Sequence, residues 1–216
     1  MNILRINDVI HPITWVMNFL SDEEICKILK HVEKINPDEA VIGQNIQKKN
    51  KKPFTPDYHI KNMDVGNVPR LRKTIIKWIE LNLDTNWLYR KIILEINKQN
   101  QENFNYILRF VENLQFSEYN ENQQGFYSEH YDCGDKKTIQ NYIDIRKLSF
   151  SIQLDSPDDY EGGDLILYPK NYEKIIVPKE KGTIIFFESD ILHEVTPVKK
   201  GIRRSLVSWV QGPNLR

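Results

Sequence analysis

The run Lys147-Leu148-Ser149-Phe150-Ser151-Ile152-Gln153-Leu154 alternates apolar and polar side chains without a break. A period of two marks a β-strand whose two faces meet different surroundings, and a helix cannot satisfy it. Related runs surround it. Leu108-Arg109-Phe110-Val111 and Leu114-Gln115-Phe116 come before; Leu165 to Tyr168, Lys174 to Val177, Thr183 to Phe187 and Ser205 to Val210 come after. Glu161-Gly162-Gly163-Asp164, Pro178 to Gly182 and Lys199-Lys200-Gly201 supply turn signals between the later runs. Short strands at this spacing, with no helical pattern between them, predict an antiparallel double sheet, a sandwich or barrel, from about residue 107 onward.

The preceding sequence reads as helical. Ser21-Asp22-Glu23-Glu24 has the form of a capping box, and Ile25, Ile28, Leu29 and Val32 follow at helical spacing. A helix over about 22–35 is expected, ended by Asn36-Pro37. A second block over about 70–98 carries Leu71, Ile75, Trp78 and Ile79, then Trp87, Leu88, Lys91, Ile92 and Ile96, with a break at Asn82 to Thr85. It predicts two further helices. Residues 38–60 are polar, with Pro53 and Pro56, and read as a long loop.

A chain of 216 residues buries about 70% of its unfolded surface and needs no covalent staples. One domain over 1–216 is expected, with 1–100 as mainly helical support and 101–216 as the β core. Two cysteines, Cys26 and Cys133, cannot form a disulfide framework and suit a reducing compartment. No stretch approaches the ~18 apolar residues of a membrane span, and the first twenty residues lack a signal-peptide pattern, so a cytoplasmic protein is expected. Thirty basic residues balance thirty acidic ones, which argues against a general nucleic-acid binder. The charges are unevenly placed. Residues 44–100 hold 12 Lys/Arg against 5 Asp/Glu, and residues 101–166 hold 5 against 13. Two solvated faces explain this pattern. An acidic surround for a cation, with a basic flank for an acidic partner, explains it as well.

Five histidines are present. His11, His31 and His59 sit in loop, helix and polar contexts that suggest no chemistry. His130-Tyr131-Asp132 is different, because residues i and i+2 of a strand share a face and can offer an imidazole and a carboxylate together. His193, in Ile191-Leu192-His193-Glu194-Val195, would complete two histidines and one carboxylate, the facial ligand set of non-heme Fe(II) oxygenases. Arg203 follows ten residues later and shares a strand face with Ser205, Val207 and Trp209. A guanidinium beside a hydroxyl suits a carboxylate, which arginine grips as a bidentate fork.

The segment from about Ile107 to Pro213 resembles the 2-oxoglutarate/Fe(II)-dependent dioxygenases, in particular the prolyl 4-hydroxylase-like branch. The resemblance rests on four motifs in order. They are Tyr119 through Tyr127-Ser128-Glu129-His130-Tyr131-Asp132; the strand Leu148 to Leu154; Tyr160-Glu161-Gly162-Gly163-Asp164-Leu165; and Gly182 through His193 to Gly201-Ile202-Arg203. It covers about half of the chain. The resemblance implies an α+β, mainly β fold: a double-stranded β-helix, or distorted jelly roll, with N-terminal supporting helices. It implies Fe(II) held by His130, Asp132 and His193. It implies 2-oxoglutarate as cosubstrate, its distal carboxylate on Arg203 with Ser205, and either Tyr119 or Tyr127 contacting it. His130, Asp132, His193 and Arg203 are then the catalytic set. O2 is the oxidant, succinate and CO2 are released, and ascorbate is a candidate reductant.

The branch suggests hydroxylation of a peptidyl prolyl side chain, and so a peptide or protein partner. A small-molecule or free amino acid hydroxylase is a second reading. An AlkB-type nucleic-acid demethylase is a third, but that branch carries a second Arg six residues after the first, where this chain has Trp209. A metal-free jelly-roll binding module is the non-enzyme reading. Substrate contacts are expected from loops 40–62 and 134–146. No membrane partner is expected, and the sequence leaves the oligomeric state open.

Overall fold

The computed structural model describes residues 13–39, 72–133, 143–170 and 172–214. Its elements, in chain order, are β1 (Ile13–Val16), α1 (Asp22–Val32), β2 (Asp38–Glu39), β3 (Arg72–Lys73), β4 (Ile75–Ile79) and α2 (Asn86–Gln99). Then come β5 (Phe110–Val111), β6 (Leu114–Asn120), β7 (Phe126–His130), β8 (Asp144–Gln153) and β9 (Tyr160–Gly162). The chain ends with β10 (Leu165–Tyr168), β11 (Ile175–Ile176), β12 (Ile184–Glu188), β13 (Leu192–Val195) and the long β14 (Val198–Pro213).

The strands form two antiparallel sheets. The larger runs β1-β12-β8-β14-β6-β4-β2, with β5 and β9 also paired to β14. The smaller runs β11-β10-β13-β7-β3. Two apolar clusters show how the layers stack. On one face of the large sheet, Leu148, Phe150, Ile152, Phe186 and Leu206 pack against Ile25, Ile28, Leu88, Ile92 and Ile96 of the two helices. On its other face, Tyr119, Ile185 and Phe187 meet Leu165, Leu167 and Val195 of the small sheet. This is the mainly β jelly roll, backed by helices, that the sequence predicts.

Local chemistry explains the helices. The Ser21 hydroxyl accepts from Glu24 N, and Glu24 Oε2 accepts from Ser21 N at 2.9 Å, so α1 starts with a reciprocal capping box worth about 1 kcal/mol. Tyr89 of α2 donates to Ile79 O at 2.6 Å and accepts from Leu114 N, tying the helix to β4 and β6. Ile92 is fully buried, and truncating it to Ala would cost about 2–5 kcal/mol. No helix among the described residues is long and apolar enough to cross a membrane.

The structure corrects several expectations. Within the stretch expected as a helix over 71–79, Arg72–Lys73 and Ile75–Ile79 are strand: β3 and β4 pair with β7 and β6. Thr74, Ile75, Ile76, Trp78 and Ile79 are β-branched or aromatic, and the free edge of β6 offers their backbone a ladder. Helices α1 and α2 remain the longest elements among the described residues before 101, with the shorter strands β1 to β4 beside them. Residues 110–111, and not 108–111, form a strand. Lys199-Lys200-Gly201 is no turn but lies within β14, where the pairing with β9 shifts register and Gly201 takes φ +75°. The loop 40–62 lies outside the described residues, as does 134–142, while 144–146 opens β8.

Candidate active site

Three ligand-type residues converge between the sheets. His130 closes β7 and His193 lies in β13, where the two are directly opposed across the strand pair. Their ring centroids are 4.1 Å apart. Asp132 is not on the strand as expected, since β7 ends at His130. It sits in a bend fixed by the Ser189 carbonyl, which accepts from both Asp132 N and Cys133 N. Even so, one ligand atom from each of His130, Asp132 and His193 lies within 4.8 Å of the others. His193 Nε2 is 3.3 Å from Asp132 Oδ2, and His130 Nε2 is 3.7 Å from Asp132 Oδ1.

Backbone carbonyls fix the tautomers. His130 Nδ1 lies 2.8 Å from Ser128 O, and His193 Nδ1 lies 2.9 Å from Ile191 O. A carbonyl only accepts, so in each neutral imidazole Nδ1 carries the proton and Nε2 keeps its lone pair, as a metal ligand requires. Asp132 is held by Ser149, whose hydroxyl donates to Oδ2 at 2.7 Å. That hydroxyl has no second proton, so the 2.9 Å contact between the two serine hydroxyls is a donation from Ser189 to Ser149.

The electrostatics follow from burial and closeness. Burial, with the neighbouring His193, pushes the His130 imidazole down to about 3, so it stays neutral. Burial opposes charge on Asp132, but the two imidazoles and their bonds outweigh it and hold the carboxyl well below its ordinary range. Burial also opposes charge on His193, and Asp132 beside it wins, raising that imidazole. The Cys133 thiol is pushed up to about 11 by burial and by Asp190 and Asp132, which keeps it protonated and unreactive.

The second half of the site is cationic. Arg203 is 1% exposed. Its Nη2 donates to Gln153 Oε1 at 3.0 Å, while Nε and Nη1 are buried without a hydrogen-bond partner. An unpaired buried guanidinium is costly, and these free donors fit an incoming carboxylate. Gly163 makes room for it. At φ +61°, a Cβ there would come within 2.9 Å of Arg203 Cδ. Tyr119 pairs with Arg203 across β6 and β14, with its ring centroid 5.5 Å from the guanidinium carbon. Tyr127 goes elsewhere and stacks on His130 at 3.6 Å between ring centroids. Ser205, Val207 and Trp209 line the same pocket, as period two along β14 predicts.

All seven residues singled out from the sequence (Tyr119, Tyr127, His130, Asp132, His193, Arg203 and Ser205) thus border one pocket. Sequence reasoning missed Ser149, Gln153 and Arg72. The first two were signalled by the alternation of residues 147–154, whose polar face turns out to be buried against the site.

Comparison with known proteins agrees with this architecture. Residues 114–211 match the family model described as the 2OG-Fe(II) oxygenase superfamily. A PKHD-type hydroxylase of Alteromonas mediterranea is 34% identical over 98 residues, which are 44% of this chain and 42% of that protein. The chain therefore matches less than half the length of that relative. A viral collagen prolyl hydroxylase from Paramecium Bursaria Chlorella virus-1, solved as a 2OG complex, aligns with TM-score 0.64 at 20% identity. The alignment covers 93% of this chain and 96% of that one. A prolyl hydroxylase from Trichoplax adhaerens, in complex with a hypoxia inducible factor peptide fragment, aligns with TM-score 0.66 at 18% identity. It covers 92% of this chain and 82% of that one. At these identities the two structures establish the fold.

Proposed function

We propose that this chain, whose residues 114–211 match the 2OG-Fe(II) oxygenase superfamily model, is a 2-oxoglutarate-dependent Fe(II) dioxygenase that hydroxylates a peptidyl prolyl side chain. One observation carries the reading: the His130, Asp132 and His193 cluster faces the same pocket as the unpaired guanidinium of Arg203. A metal site and an anion site in one cavity suit a cosubstrate that chelates at one end and carries a carboxylate at the other.

His130, Asp132 and His193 would hold the metal through Nε2, a carboxylate oxygen and Nε2, leaving further positions open. The ferrous ion, when bound, supplies O2 activation coupled to decarboxylation of 2-oxoglutarate, with release of succinate and CO2. Arg203 binds the distal carboxylate, with Gln153 holding the guanidinium in place and Ser205 beside it. Tyr119 walls this end, and Tyr127 braces the His130 ring. Val207, Trp209, Phe187 and Leu165 exclude water, which strengthens the charge pairing inside. One apolar cluster joins the helices to the large sheet and a second joins that sheet to the small one, which supports a single domain.

Support for a peptide substrate comes from the name of the viral collagen prolyl hydroxylase and from the peptide in complex with the Trichoplax enzyme. The absence of a disulfide at Cys26 and Cys133 suits a reducing, cytoplasmic setting, and ascorbate would serve there as external reductant. The test is anaerobic loading with Fe(II) and 2-oxoglutarate, then admission of oxygen with a panel of proline-containing peptides. Peptide-stimulated succinate, with one oxygen atom gained by a prolyl residue, is the expected result. A protein that takes up neither Fe(II) nor 2-oxoglutarate contradicts the reading.

A further inference from the structure

The pocket contains a second guanidinium that this chemistry leaves unused. Arg72 lies on β3, at the edge of the small sheet, where it pairs with Tyr127 of β7. Its guanidinium carbon is 4.6 Å from the centroid of the Tyr127 ring, and that ring is stacked on His130. Nη2 reaches the large sheet and donates to Ser117 Oγ at 3.3 Å, a long bond for a charged donor. The same oxygen already accepts a 2.9 Å bond from Gln115. Nε is buried without a partner.

Three other arginines are ion-paired. Arg109 pairs with Asp144, Arg146 with Glu112 and Arg204 with Asp155. Among the described residues, Arg72 and Arg203 line the pocket and neither is paired with a carboxylate. Arg203 has a use in the proposed reaction. A divalent metal and a dianionic cosubstrate cancel each other, and Asp132 balances Arg203. Arg72 is then left over, so the loaded pocket presents one positive charge to whatever enters it.

We propose that Arg72 selects the substrate, pairing its Nε–Nη2 edge with a carboxylate that the substrate carries on, or next to, the residue being hydroxylated. This rests on the dioxygenase reading and narrows its substrate class. A neutral carbonyl would occupy one donor and leave the charge in place, whereas a carboxylate takes both donors of the edge and cancels it. The position sets the spacing. One aromatic ring, Tyr127, separates the guanidinium from a metal-ligand imidazole, so the carboxylate belongs close to the reacting carbon.

The test uses the protein loaded with Mn(II), a redox-silent stand-in for Fe(II), and with 2-oxoglutarate. N-acetyl-L-proline and N-acetyl-L-prolinamide are the probes, followed by NMR through Mn(II) broadening of their ring protons. Wild type is expected to bind the acid about tenfold more tightly than the amide, the scale by which a charge-assisted hydrogen bond exceeds a neutral one. Arg72→Gln removes that preference and Arg72→Lys keeps part of it, while 2-oxoglutarate affinity stays the same in all three. Equal binding of acid and amide by wild type, no binding of the acid, or a preference that survives Arg72→Gln overturns the proposal. Failure of 2-oxoglutarate itself to bind wild type identifies the dioxygenase reading as the error instead.

Discussion

Ser149 donates its hydroxyl to Asp132 Oδ2 at 2.7 Å, across seventeen residues of sequence. The carboxylate stands in a bend beyond the end of β7, where no ladder bond orients it. Its direction is set by this serine on β8, with Ser189 behind it. Ser149→Ala should therefore weaken metal binding by about ten- to a hundredfold, the range for loss of a partner that orients a ligand. Equilibrium dialysis with Mn(II) measures this. Unchanged affinity would show that Asp132 needs no such support.

Gly163 lies against the stem of Arg203 in a left-handed backbone conformation. Gly163→Ala should displace the guanidinium and strain the turn at a cost of about 1–2 kcal/mol. The expected signature is a split: 2-oxoglutarate affinity falls while Mn(II) affinity holds. Calorimetric titration of both ligands reads it, and equal losses for the two would point to general unfolding instead.

Glu24 accepts from Ser21 N and, through both oxygens, from Lys91 Nζ at 2.6 and 2.7 Å. Burial opposes its charge, but Lys91 and the Ser21 amide outweigh it and hold the carboxyl below its ordinary 4.5. A carboxylate lowered on folding adds stability above its unfolded pKa, and that contribution is lost as pH falls through the folded value. Glu24→Gln keeps the capping geometry and loses the charge. It should cost about 0.5 kcal/mol at neutral pH, the scale of a partly exposed ion pair, and less in acid as pH falls through the lowered folded value. Urea melts at neutral and acid pH check this. A deficit that persists undiminished in acid would assign the effect to packing.

What could be read from the sequence follows a physical line. The period of two over 147–154 fixes a strand, but it does not say what the polar face meets. Solvent was the ordinary expectation, and instead Ser149, Ser151 and Gln153 are each at most 3% exposed, facing the site. His130 and Asp132 were legible because two residues apart is a local geometry, even with Asp132 in a bend. Arg203 and Ser205 were legible by the same period. The Gln153 bond to Arg203 was not, since it depends on the register that sets Gln153 opposite Ser205. Residues 71–79 misled because Leu71, Ile75, Trp78 and Ile79 fit a helical stripe as well as they fit a strand. Sheet pairing with β6, forty residues later in the chain, decided between the two.

The central claim is that one pocket holds a metal at His130, Asp132 and His193 and an anion at Arg203. Anaerobic titration with Fe(II), then with 2-oxoglutarate, tests it on wild type, His193→Ala and Arg203→Gln, each first shown to be folded by circular dichroism. Wild type should bind both ligands. His193→Ala should lose Fe(II), and Arg203→Gln should keep Fe(II) while losing most of its 2-oxoglutarate affinity. Full Fe(II) affinity in His193→Ala, or unchanged 2-oxoglutarate affinity in Arg203→Gln, would contradict the account.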